Sequence, residues 1–133
     1  MKKLLFLIII SVAFSACKKT EFEPKGPTDV RVQNISDVTF SEVIVKIDEE
    51  VDTLGTALAG EYTDYHRFET AYCFAEISTR IDDVLFSTGP VDNTYSHYMG
   101  QMKITYVVYI EDWNNKKLAI DRTIPDAPLD DLK

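Results

Sequence analysis

Cysteine and histidine are nearly absent from this chain. Its 133 residues hold two cysteines, Cys17 and Cys73, and two histidines, His66 and His97. The motifs that need them are missing too: there is no HExxH, no short-spaced Cys/His ligand pair and no GxSxG elbow. Asp48-Glu49-Glu50 with Asp52 offers oxygens of the kind calcium takes, but the EF-hand order with its central glycine is not there, so the cluster reads as an acidic turn. The paired acids Asp82-Asp83 and Glu111-Asp112 are sequence neighbours, whereas a glycosidase needs two acids flanking a bond. They read as hairpin formers. Nothing in the sequence calls for a cofactor or a metal.

Long apolar runs are confined to the first seventeen residues, MKKLLFLIIISVAFSAC. Lys2 and Lys3 make a positive start, residues 4–14 an apolar stretch, and Ser15-Ala16 a small pair of the kind that precedes secretory cleavage. The apolar stretch is shorter than the roughly 20 residues that span a bilayer. Its end, Phe14-Ser15-Ala16-Cys17, resembles the lipobox of bacterial lipoproteins, with Phe14 in place of the usual aliphatic residue. That resemblance implies that Cys17 is acylated and becomes the first mature residue, so that the chain's membrane partner is reached through its lipid. Anchoring by several acyl chains lasts, because each buried methylene adds about 0.8 kcal/mol. In that family an aspartate after the cysteine favours the inner membrane; Lys18 stands there instead, which implies the outer membrane.

Removing residues 1–16 from the 133 leaves 117, enough for one domain. Positive charge is scarce in them. The 14 basic residues include Lys2 and Lys3, so 12 face 22 acidic ones, a formal charge of −10. Such a surface repels nucleic acid and anionic headgroups, which argues against both as ligands. With Cys17 acylated, Cys73 has no partner for an intrachain disulfide. It lies in Ala71-Tyr72-Cys73-Phe74-Ala75 and is expected to be a buried, inert thiol.

Residues 17–27 are rich in charge, with two prolines and a glycine, and read as a flexible tether. Beyond them, helical periodicity is missing and period-two alternation takes over, which predicts an all-β domain over residues 28–124 and a disordered tail over 125–133. Strands are expected at 28–33, 38–48, 51–54, 84–87, 101–111 and 117–124, with a bulge near Ser41-Glu42 where the apolar phase shifts. Residues 65–81 form one uninterrupted run, read as a strand that bends near Glu69-Thr70, keeps its direction and changes sheet. The expected architecture is an antiparallel, Ig-like β-sandwich of about seven or eight strands behind a cleaved signal peptide.

The Val30-x-Val32-x-Asn34-x-Ser36 pattern, with Gly60-Glu61-Tyr62-Thr63-Asp64-Tyr65 before a long apolar run, resembles the Ig-like domains of small bacterial lipoproteins of unassigned activity. The resemblance brings no catalytic residues with it. Trp113 falls in an expected hairpin, away from any Cys-Trp-Cys core.

Two loops stand out. Residues 60–66 and 92–98 each combine two tyrosines, a histidine and an aspartate, a mixture suited to recognition because the ring offers contact area at small entropic cost. Tyr62, Asp64, Tyr65, Tyr95, His97 and Tyr98 are therefore the candidate binding residues, with a protein or glycan as ligand and both loops expected at the membrane-distal end. The function this implies is a non-catalytic, lipid-anchored envelope protein whose domain is a structural or binding module. The alternative is a small hydrolase or metal-dependent enzyme using acidic residues with His66 and His97, and it requires a histidine within reach of a carboxylate in a pocket.

Overall fold

Apolar side chains at every second position bury one face of a strand, and the described residues form eight of them: β1 (Thr28–Asn34), β2 (Phe40–Ile47), β3 (Glu50–Ala57), β4 (His66–Phe68), β5 (Glu76–Ile81), β6 (Val84–Ser87), β7 (Met102–Asp112) and β8 (Lys117–Pro128). The structure is a computed structural model and describes residues 25–130. The expected signal peptide, the Cys17 lipidation site, most of the tether and residues 131–133 lie outside the described residues. No helix occurs among the described residues, so the domain is all-β.

The strands form one sheet in the order β3-β2-β5-β6-β8-β7-β1-β4. Two four-stranded halves are joined by the single pair Ser87↔Lys117. They curl over one core, and β3 comes back against β1 and β4, so the sheet is nearly a barrel. Phe40, Ile47, Phe68, Ile77, Ile104, Tyr106 and Leu118 fill the interior, all essentially inaccessible to solvent.

Most pairings are antiparallel, but β1 lies parallel to β7 and β6 parallel to β8. This corrects the expectation of a wholly antiparallel sheet. Alternation tells each residue which face it takes but not which strand lies beside it.

Turn chemistry behaves as the sequence predicts. Asp82 and Asp83 both have positive φ, 50° and 64°, and close a two-residue hairpin between Ile81 and Val84. Asp112 Oδ1 accepts from the Asn114 and Asn115 N–H groups at 2.9 and 3.1 Å, shaping the turn into β8. The expected bulge appears where the β2–β3 register shifts between Phe40 and Val43, with Glu42 at φ 54°. Asn34 fixes the β1–β2 corner: its Nδ2 donates to Val38 O at 2.6 Å and Ala57 O at 3.0 Å, and its Oδ1 accepts from Ser36 N and Ser36 Oγ.

Three other expectations fail. Residues 65–81 are two strands rather than one: β4 pairs with β1 at one edge, β5 pairs with β2 and β6 in the other half, and 69–75 crosses between them. The crossing reverses direction, because β4 is antiparallel to β1 while β5, traced through β2 or β7, runs with it. Cys73 lies in that crossing and is exposed, along with Phe74, whereas Ala71, Tyr72 and Ala75 turn inward; outside a strand, alternation no longer dictates burial. The chain past residue 124 is ordered, since β8 continues to Pro128 and Leu129 is buried. Prolines are tolerated there because beyond Lys117 β8 has only β7 as a ladder partner, and a bulge leaves Asp126 as an extra residue between Pro125 and Ala127.

Candidate functional site

Strand directions separate the two tyrosine loops. β3 climbs with β1 and delivers 58–65 to the end where β1 finishes, while β6 descends and delivers 88–101 to the end where β1 starts. The hydrogen bonds agree: Asn34 N–H donates to Glu61 O at 2.9 Å, and Thr28 Oγ1 donates to Gly100 O at 2.5 Å. The expected shared, membrane-distal surface is therefore not formed. The second loop lies at the end where the chain enters from residue 25, with the Lys25 ammonium 5.8 Å from the centre of the Tyr98 ring.

That second loop builds a polar cleft of about 390 Å³, lined among others by Asp48, Tyr72, Asp92, Asn93, Ser96 and Tyr98. Each wall has a local cause. Asp48 ends β2 at φ 53°, a left-handed turn residue that leads into β3. Tyr72 is held by a backbone bridge to Tyr98, and Met99 N–H donates to Ala71 O at 2.8 Å. From inside the core, the Tyr106 hydroxyl donates to Tyr72 O at 2.6 Å.

The Tyr72 and Tyr98 rings stack with centroids 5.3 Å apart and planes 26° from parallel. Tyr72 donates its hydroxyl to Asp48 Oδ2 at 2.9 Å. Burial, with the negative charge of Asp48 beside it, pushes the Tyr72 phenol up to about 12. Asp92 Oδ1 accepts from Thr94 N–H and Thr94 Oγ1, and those bonds hold its carboxyl below the usual range. Asn93 Oδ1 is buried and accepts no hydrogen bond from the described residues.

Chemically the cleft is a stacked aromatic pair rimmed by two carboxylates, an amide and hydroxyls. It presents many acceptors, so it suits a ligand that donates hydrogen bonds and has a face to lay on a ring. Among the expected binding residues only Tyr98 lines it. Tyr95 is 95% exposed, and His97 is exposed as well. Asp48, Tyr72 and Asn93 are site residues that the sequence reading missed. Asp48 had passed for a plain acidic turn, and Tyr72 for part of an unbroken core run.

The first loop makes a different cluster. The Arg31 guanidinium lies over both the Tyr62 and Tyr65 rings, whose centres are 4.0 and 4.6 Å from its Cζ. Arg31 Nε donates to Thr105 Oγ1 at 2.9 Å and lies 3.8 Å from Asp126 Oδ2, which also accepts from the Tyr65 hydroxyl at 2.7 Å. Burial and the Asp126 carboxylate raise the Tyr65 phenol above its ordinary value. These groups satisfy one another across β1, β7 and the β8 bulge. Asp64 is exposed beside them, its carbonyl accepting from Thr63 Oγ1.

His66 does come within reach of a carboxylate. Its Nδ1 lies 2.8 Å from Asp52 Oδ2, across the seam where β3 meets β4, and Glu50 Oε2 accepts from Glu69 N–H at 2.9 Å in the same seam. Both side chains are partly exposed, and neither lines the cleft. Among the described residues, no three His, Cys, Asp or Glu side chains converge as a metal site.

Neither a family model nor a curated protein matches the chain. Among solved structures, the chain is similar to a protein from Eubacterium rectale determined by NMR, at 16% identity over 76% of this chain and 94% of that one, with a TM-score of 0.47.

Proposed function

We propose that this is a non-catalytic, lipid-anchored protein of the cell envelope whose β domain binds a neutral, hydroxyl-rich ligand of the glycan class in the Tyr72–Tyr98 cleft. The observation that carries the reading is the cleft's composition: a stacked tyrosine pair beside the Asp48 and Asp92 carboxylates, with Asn93 and Ser96 in the same lining. Sugar hydroxyls would donate to the carboxylate oxygens, and an apolar sugar face would lie on a ring. The acidic chain disfavours anionic ligands.

The lipid anchor rests on the Phe14-Ser15-Ala16-Cys17 resemblance, and with it the cleaved signal and the outer-membrane location. On this reading the cleft faces the anchored side, since Lys25 sits at its edge. Residues 17–27 would hold it no more than about 30 Å from the bilayer at full extension. The two four-stranded halves over one core support reading the domain as an Ig-like sandwich.

The test is a screen of immobilised neutral glycans against the native protein and Tyr98→Ala, in which the variant should lose at least tenfold in affinity. Equal binding by both, or no glycan bound by the native protein, would overturn the cleft assignment. Fatty-acid labelling that persists in Cys17→Ser would overturn the anchor. A second reading, an enzyme, draws on the His66–Asp52 pair, a base held by a carboxylate. It is the weaker one, because that pair lies in a half-open seam instead of a cleft.

A further inference from the structure

We propose that the ligand is a glycolipid, whose sugar lies in the Tyr72–Tyr98 cleft and whose alkyl chain lies in an apolar wedge beside it. The proposal rests on the glycan reading above and adds a second site to it. The wedge is a gap in the sheet. β6 and β8 share the single pair Ser87↔Lys117, and the next residue keeps to β5 instead: Thr88 N–H donates to Ile77 O at 2.9 Å, and Thr88 Oγ1 accepts from Ile77 N–H at 3.0 Å. Past Lys117, β8 continues with β7 as its one ladder partner among the described residues, so side chains along its other edge lack the cover of a neighbouring strand.

The wedge holds about 380 Å³, inside the roughly 300–1,000 Å³ of small-molecule sites. Its lining reaches the core, since Ala75 and Leu118 are buried and Ile120 packs against the core cluster. Phe74 from the crossing segment and Val91 from the loop after β6 complete it, and they are 54% and 37% exposed. The two charged groups in the lining, Glu111 and Lys117, pair with each other at 2.9 Å. The Thr88 hydroxyl is likewise engaged, donating to Gly89 O at 3.1 Å. A polar ligand group would lose its water here without gaining a partner, whereas an alkyl chain has none to lose.

The wedge and the cleft are continuous. Val91 lines both, and the same two segments build them. The crossing segment gives Tyr72 to the cleft and Phe74 to the wedge; the loop after β6 gives Asp92 to the cleft and Pro90 to the wedge. A ligand seated against Tyr98 therefore borders an apolar site that a bare sugar leaves empty. A glycan carrying an alkyl or acyl chain matches both chemistries at once.

The test holds the full chain in phospholipid nanodiscs and titrates it with matched methyl and n-octyl glycosides of glucose, galactose and mannose, with empty nanodiscs as the blank. An octyl glycoside should bind at least tenfold more tightly than its methyl counterpart, a factor that burial of about two methylenes supplies. Phe74→Asp, at an exposed position, should erase that advantage while leaving the methyl glycoside's affinity and the thermal midpoint unchanged. Tyr98→Ala should weaken both glycosides. With a diazirine in its octyl chain, the glycoside should crosslink to Phe74, Val91 or Ile120 of the native protein. Methyl and octyl glycosides bound equally would overturn the glycolipid and leave the glycan reading standing. Wedge crosslinks undiminished in Tyr98→Ala would overturn the glycan reading and the shared ligand with it. Crosslinks that miss the wedge, or a dimer that shields Phe74 and so gives the wedge to a second copy, would overturn the proposal as well.

Discussion

The Tyr72 hydroxyl donates to Asp48 Oδ2 at 2.9 Å and joins the crossing segment to the β2–β3 turn, two parts of the chain 24 residues apart. This bond closes one wall of the cleft, and the burial of the ring together with the bond sets a dependence on alkaline pH.

The Tyr72 phenol stands at about 12 in the folded protein, against 10.0 for the free group. A group that holds its proton more tightly when folded adds stability below its unfolded value and loses that contribution as pH rises through its folded one. Denaturant midpoints should therefore fall between about pH 10 and 12, in step with tyrosinate absorbance. Tyr72→Phe, with no phenol to ionise, should show a shallower fall over that window; an identical slope would show that Tyr72 is not responsible.

Asn34 is fully buried and ties two backbone segments together, the β1–β2 corner at Ser36 and Val38 and the end of β3 at Ala57. Asn34→Ala would remove the side-chain donor to Ala57 O and one of the two donors to Val38 O, which keeps the Ser36 hydroxyl, at a cost of about 1–3 kcal/mol. A urea midpoint lower by the equivalent of about 2 kcal/mol is the expected result, and a loss below about 1 kcal/mol would contradict the role assigned to the side chain.

Asp83 carries φ 64° in the two-residue hairpin after β5. Glycine adopts that region without the steric cost a Cβ brings, and Asp-Gly is favoured in this turn. Asp83→Gly should raise stability by about 0.5 kcal/mol, visible as a higher thermal midpoint with the fold unchanged.

Arg31 lies over the Tyr62 and Tyr65 rings and is bonded to Thr105. Lysine keeps the charge but not the planar group that lies flat on two rings. Arg31→Lys should cost about 1 kcal/mol and should leave ligand binding in the Tyr98 cleft unaltered, because the two clusters lie at opposite ends of the sheet. Loss of binding in that variant would show that the loops act together after all.

What the sequence by itself determined is local. Alternating apolar residues set the inward face of β1, β2 and β7, and short polar turns set the hairpins at Asp82-Asp83 and Asp112 and the bulge at Ser41-Glu42. These depend on neighbours within a few residues, so they can be read along the chain. Tertiary structure alone decided that β1 lies beside β7, that residues 65–81 split and reverse, that Cys73 faces outward, and that Tyr98 meets Tyr72, itself bonded to Asp48, in place of Tyr62. Backbone hydrogen bonding is the same for any pair of strands, so the choice of partner falls to burial of the whole core and to satisfying each strand's free edge. Those conditions are met only once all eight strands are in place.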